Sequence, residues 1–193
     1  LNVAIRITIF RLILVPVFLA LLLVYRGTEP GSAEWLRYTA LVVFIVASVS
    51  DVIDGYVARS RGITTRLGGL LDPLADKLLF GLGIIVLSLP PVKEGFPFEP
   101  PALWYPIAVV ATNLALGIGT LSSYILHKKV VIKAVPLGKA AAVLQTATMC
   151  WIMLRLPGVE FFYYPAGVLT VASGIVYVIG AIQQVGSAEA PEG

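Results

Sequence analysis

Cysteine, histidine and charge are all scarce in this chain. Its one cysteine, Cys150, excludes an intramolecular disulfide framework, and in an apolar segment it reads as a small buried residue. The one histidine, His127, has no partner at metal-ligand spacing and reads as a helix-end residue. Charged residues make up 13% of the 193, and a formal net charge of +3 is too small for nucleic-acid binding, so no such partner is expected. What fills the chain is apolar. Hydrophobic residues account for 58% of it and the mean hydropathy is +0.91, far outside the range of a soluble domain.

A helix of about 20 mostly apolar residues crosses a bilayer core, and six stretches qualify: 9–26, 34–58, 68–90, 102–126, 137–156 and 161–183. The breaks between them carry Gly, Pro and charge, as in Gly27-Thr28-Glu29-Pro30-Gly31 and Pro90-Pro91-Val92-Lys93-Glu94-Gly95. The expected fold is therefore an all-α integral membrane protein, a single domain over 1–185 with six transmembrane helices, followed by a small polar tail over 186–193 that is expected to be disordered. The first segment is long for a signal peptide and lacks a clean small-residue cleavage site, so it is read as a membrane helix. With six alternating helices, Arg6, Arg11, Arg59, Arg61, Arg66, Lys128, Lys129, Lys133 and Lys139 fall on one side, and Arg26, Arg37, Lys93 and Arg155 on the other. The richer side is read as cytoplasmic, with both termini and the loops 59–67 and 127–136 facing it. Trp35, Trp104, Tyr105, Phe161, Phe162, Tyr163 and Tyr164 cluster near helix ends on the other side, as an aromatic belt would.

Against this background the aspartates stand out. The chain has only four, Asp51, Asp54, Asp72 and Asp76, all in or beside apolar segments. Ionisable groups at membrane depth are costly unless paired, which makes them functional candidates. Spacings of i,i+3 for 51 and 54 and i,i+4 for 72 and 76 put each pair on one helix face. The short turn from Arg59 to Gly68 brings the second helix back antiparallel, so the two faces converge at the cytoplasmic end of a polar cavity. Four crowded carboxylates repel unless cations neutralise them. An oxygen-only donor set open to phosphate suits Mg²⁺ or Mn²⁺, and two such ions balance four carboxylates in formal charge. Salt bridges to Arg59, Arg61, Arg66 and Lys77, or a cation-coupled transporter, are the competing readings.

Asp51-Val-Ile-Asp54-Gly55-Tyr-Val-Ala58-Arg59, then eight residues to Gly68, then Gly-Leu-Leu-Asp72-Pro-Leu-Ala-Asp76, resembles the signature of the CDP-alcohol phosphotransferases, with every fixed position present at its spacing. The resemblance implies that Asp51, Asp54, Asp72 and Asp76 hold the metal and that Asp76 also deprotonates the acceptor hydroxyl. It further implies that Gly55, Ala58, Arg59 and Gly68 surround the CDP-lipid, the small residues admitting cytidine and Arg59 approaching its phosphates. For Gly55 and Gly68 the competing reading is close helix packing. Gly81, Gly83, Gly117, Gly119, Gly174 and Gly180 lie outside the signature and are expected to be packing residues.

Asn2, Thr8 and Arg11 are similar to the opening of the phosphatidylglycerophosphate synthase branch, although Ala4 stands where that branch usually has proline. Arg6 and Arg11 otherwise read as anchors that snorkel to lipid phosphate. Leu137-Gly138-Lys139 followed by Gln145 looks like the region that branch places beside its acceptor pocket, and Arg11, Lys133 and Lys139 are the expected acceptor contacts. Lys128 and Lys129 read equally as attraction to anionic lipid. Thr112-Asn113-Leu114 departs from the Arg-Glu pair common in the branch's fourth helix. The activity implied is transfer of a phosphatidyl group from CDP-diacylglycerol to glycerol 3-phosphate by a membrane homodimer. Phosphatidylglycerol, as in a cardiolipin synthase, or an inositol phosphate is the alternative acceptor.

Overall fold

The computed structural model describes residues 3–29, 31–61, 66–90, 100–125 and 136–188, and the side chains of 8–29, 31–50, 75, 77–90, 100–119 and 136–180. Six α-helices account for nearly all of them: α1 (Val3–Gly27), α2 (Glu34–Arg61), α3 (Arg66–Ser88), α4 (Trp104–Ile125), α5 (Pro136–Leu154) and α6 (Glu160–Ala188). Each expected apolar stretch corresponds to one helix, although 68–90 and 137–156 run two residues past the ends of α3 and α5 and 102–126 begins two residues before α4. Helix α6 continues through Ala188, into the stretch expected to be a tail, because Gln183, Gln184 and Val185 are compatible with a helix and the next proline is Pro191. Among the described residues, Thr8–Gly27, Pro136–Leu154 and Glu160–Gly180 are long and apolar enough to cross a membrane, and Lys77–Ser88 and Trp104–Gly119 are apolar but shorter. The chain is a membrane protein.

Helix α1 packs on α2 and α3, α5 pairs with α6, and α4 bridges α3 to α6. The core at mid-bundle is aromatic. Phe18 of α1 meets Phe44 of α2 at 5.5 Å between ring centroids, and Phe44 meets Phe80 of α3 edge-on at 5.6 Å. A Cβ on Gly83 would lie 2.9 Å from Phe18 Cε1 and 2.5 Å from Met149 Cε, so glycine there lets α1, α3 and α5 close together. Gly174, where a Cβ would come 2.8 Å from Thr112 Cγ2, does the same for α4 and α6. Gly119 and Gly180 have nothing within 4 Å of a built Cβ and are not packing residues, contrary to expectation. Gly83→Val should overpack this three-helix junction by about 1–3 kcal/mol, read as a lower Tm in detergent, whereas Gly119→Ala should not lower Tm, since its methyl meets open space and alanine favours the helix.

Three of the cations expected on the outer side meet at the end of the bundle where α1 passes to α2 and α5 to α6. Glu34 accepts from Arg37 Nε at 2.8 Å and from Arg155, and Arg155 also reaches the Tyr25 hydroxyl. Arg37 Nη1 donates to the Met153 carbonyl (2.6 Å) and Arg26 Nη2 to the Leu89 carbonyl (2.8 Å), so two buried arginines cap the C-terminal ends of α5 and α3. Arg155 sits at φ +58, a conformation that usually selects glycine, while Leu156 N–H reaches back to Trp151 O and closes the helix end.

The expected aromatic belt is only partly a belt. Trp35, Phe161 and Tyr164 are exposed, as lipid-facing rings should be, but Tyr105 and Tyr163 are buried. Tyr105 lies edge-on to Trp104 at 6.0 Å and tilted against Tyr163 at 5.6 Å between ring centroids, and Gly167 gives Trp104 and Tyr105 their space. Cys150 is half-buried against the core, in keeping with its expected packing role.

Candidate active site

Three helices carry the buried stripes that lead to the aspartates. On α1 the buried positions run Tyr25, Leu22, Phe18, Val15, Arg11 and Thr8, at the i,i+3 and i,i+4 steps that keep one face toward the core. On α2 they run Ala40, Phe44 and Ala47, and the same steps continue to positions 51, 54 and 58. On α3, Gly83 and Phe80 face α1 and α2, and one and two turns earlier on that face lie positions 76 and 72.

Register sets the depth of these positions. Tyr25 pairs with Glu34 (3.2 Å) and Phe18 with Phe44, so α1 and α2 run antiparallel. Seven residues back from Phe18 is Arg11, and seven onward from Phe44 is Asp51. Both lie about 10 Å along their axes from the aromatic layer, on the same side of it. In α3, parallel to α1, Gly83 packs on Phe18 and the position seven residues earlier is Asp76. The apolar core therefore gives way, at one level on three helices, to Thr8 and Arg11, Asp51 and Asp54, and Asp72 and Asp76. This is the end opposite the Glu34 cluster. The side chains of the four aspartates, and of Gly55, Ala58, Arg59 and Gly68, lie outside those described, but their backbones are helical: Gly55, Ala58 and Arg59 in the last turns of α2 and Gly68 in the first turn of α3. Two carboxylate pairs on antiparallel helices, with no nitrogen or sulfur ligand type in the stripes, fit a hard divalent cation.

The basic residues separate. Arg11 is fully buried at 0% exposure, so it is not an interface anchor, because no part of its guanidinium reaches the surface. Lys139 is exposed in the first turn of α5, and Lys133, with Lys128, Lys129 and His127, lies outside the described residues. Lys77 reaches toward α4, where a Cβ built on Gly117 would come 3.8 Å from Nζ. The buried Gln145 side chain turns to α6, where Nε2 donates to Thr170 Oγ1 at 2.7 Å, which makes it a link between two helices. The Glu34–Arg37–Arg155 cluster was missed by the sequence reading, although the i,i+3 spacing of Glu34 and Arg37 was a signal for half of it.

The chain is similar over 96% of its length, at 32% identity, to a Mycobacterium tuberculosis protein named "Probable phosphatidylglycerophosphate synthase", covering 84% of that protein. It is 27% identical to the CDP-diacylglycerol--glycerol-3-phosphate 3-phosphatidyltransferase of Escherichia coli K12, over 93% of this chain and 94% of the relative. The CDP-alcohol phosphatidyltransferase family profile matches residues 1–182, which takes in all three polar stripes and every helix that supports them. By that match the chain belongs to the CDP-alcohol phosphatidyltransferase family.

Proposed function

We propose that this chain transfers the phosphatidyl group of CDP-diacylglycerol to glycerol 3-phosphate, releasing CMP and forming phosphatidylglycerophosphate. Family members act on a CDP-alcohol and an alcohol acceptor with the help of a divalent metal. The observation that carries the finer reading is the single level at which three buried stripes turn from apolar to charged, together with two relatives, named for this reaction or its product, that align over nearly the whole chain.

Asp51, Asp54, Asp72 and Asp76 would hold two divalent ions, Mg²⁺ or Mn²⁺. When bound, these ions neutralise the diphosphate as its bond to CMP breaks. Gly55, Ala58 and Gly68, near the α2–α3 connection, leave room for cytidine, and Arg59 approaches the phosphates. Asp76 takes the proton from the acceptor hydroxyl as its oxygen attacks the lipid-side phosphorus, and CMP departs with the former bridging oxygen. Lys133 and Lys139 meet the phosphate of the acceptor as point charges. Arg11, expected beside them, is enclosed within the bundle at the aspartate level.

Six spans in one domain, with the cavity and both termini cytoplasmic, agree with the distribution of cations. Arg26, Arg37 and Arg155, at the end opposite the aspartates, are engaged by helix carbonyls, Glu34 and the Tyr25 hydroxyl. The enzyme is taken to act as a homodimer.

The test is CMP release by the purified protein from CDP-diacylglycerol with Mg²⁺ or Mn²⁺ and a panel of acceptors. Glycerol 3-phosphate should give the highest kcat/KM. Preference for phosphatidylglycerol or an inositol phosphate would change the acceptor and leave the family, whereas a carrier would release no CMP at all. Lys133→Gln and Lys139→Gln should each raise the apparent KM for glycerol 3-phosphate and leave that for CDP-lipid nearly unchanged, as loss of uniform binding does. Ionic strength must be held constant, since screening weakens surface lysines in general. An unchanged acceptor KM in both variants would remove the lysines from the pocket.

A further inference from the structure

We infer that Arg11 is a built-in counter-cation of the aspartate cluster, a positioning residue that joins α1 to the active-site ends of α2 and α3. The inference rests on the reading of the four aspartates as the active site, and it gives Arg11 a place in that site apart from the acceptor phosphate.

Arg11 is the most completely buried arginine among the described residues, at 0% exposure. An enclosed guanidinium is costly unless acceptors or opposite charges lie near it, because its charge is removed from water. The two other buried arginines follow this rule visibly: Arg26 is met by the carbonyls of Leu89 and Pro90, and Arg37 by Glu34 and the Met153 carbonyl. Helix α1 has no acidic residue from Val3 to Gly27, and its interior carbonyls are engaged in its own helix. It packs against α2 and α3. At the depth of Arg11 those two helices carry Asp51 and Asp76, by the registers anchored on Phe18–Phe44 and Phe18–Gly83. The next core-face positions on those helices, Asp54 and Asp72, lie within about one turn. In the other direction the stripes turn apolar, through Val15, Ala47 and Leu79. Among the described residues of the helices that pack on α1, the anions at the depth of Arg11 are thus the aspartates.

Its positive charge offsets part of the mutual repulsion of four carboxylates whether or not a metal is present. It also adds positive charge beside the place where the CDP diphosphate must lie. A residue that merely filled space would do neither.

The test is a double-mutant cycle on the full-length protein in detergent, without divalent ions, read by thermal unfolding. Arg11→Met should lower Tm by several degrees in the wild-type background. It should cost clearly less in an Asp51→Asn or Asp76→Asn background, where the repulsion it unmasks is smaller, and Arg11→Lys should recover part of the loss. Where Arg11→Met does not accumulate, Arg11→Lys is carried through the same cycle. Equal losses in all three backgrounds would overturn the inference. Mn²⁺ binding by the wild-type protein, followed by electron paramagnetic resonance, keeps the two readings apart. Coupling without bound Mn²⁺ supports the counter-cation and removes the metal cage; bound Mn²⁺ without coupling does the reverse.

Discussion

Replacing Asp51, Asp54 or Asp72 singly by Asn is expected to abolish CMP release and to weaken Mn²⁺ binding, with the helices still formed. Each change keeps side-chain size and removes one negative charge from an oxygen-only site. Divalent affinity in such a site depends on the count of charged ligands, and coordination sets both the charge balance and the place of the diphosphate. The backbone should tolerate the change. Positions 51, 54 and 72 sit inside regular α2 and α3, and removing one of four mutually repelling charges relieves repulsion in the apo protein. Activity and stability should therefore move in opposite directions, with turnover lost and metal-free Tm unchanged or raised. Near-normal turnover in any two of the three would sink the cage.

Asp76→Asn should fail in a different way. If Asp76 serves chiefly as the base, its loss leaves CDP-lipid binding in place and lowers CMP release by roughly 10²–10⁴, the usual contribution of a positioned proton acceptor. Position 76 follows Ala75, which is fully buried, and lies one turn before Phe80 on the face toward α1 and α2. The measurement is a CDP-lipid binding isotherm beside kcat. Loss of binding as severe as in Asp51→Asn would recast Asp76 as chiefly a ligand.

The residues of the candidate site were legible because they break a rule. Four aspartates in apolar stretches cannot be explained by the bilayer, and their i,i+3 and i,i+4 spacings already state that each pair shares a helix face. Helix positions were legible for the same reason, since runs of about 20 apolar residues with Gly, Pro and charge between them leave few alternatives. Arg11 was legible only as a charge. In the sequence it looked like an anchor at a membrane surface or a contact for the acceptor phosphate, because nothing in one helix tells whether a cation near its end points to lipid or to core. Tyr105 and Tyr163 were misread for a similar reason: aromatic residues near helix ends suit an interface, and their burial depends on how α4 and α6 meet, with Gly167 of α6 admitting Tyr105 of α4. Gly83 and Gly119 were indistinguishable by type, yet one sits 2.9 Å from a ring once a Cβ is added and the other faces open space.

The amino-acid sequence by itself determined the six helices, the membrane setting and the pairing of carboxylates along α2 and α3, because each depends on periodicity and transfer energy within a single segment. Only the tertiary structure decided which face of α1 is buried, that Arg11 lies level with Asp51 and Asp76, and that Arg26, Arg37 and Arg155 are held at the opposite end. Those facts depend on the register between helices. Register is set by how Phe18, Phe44, Phe80 and Gly83 interlock, a matter of shape between segments far apart in the chain that no local pattern encodes.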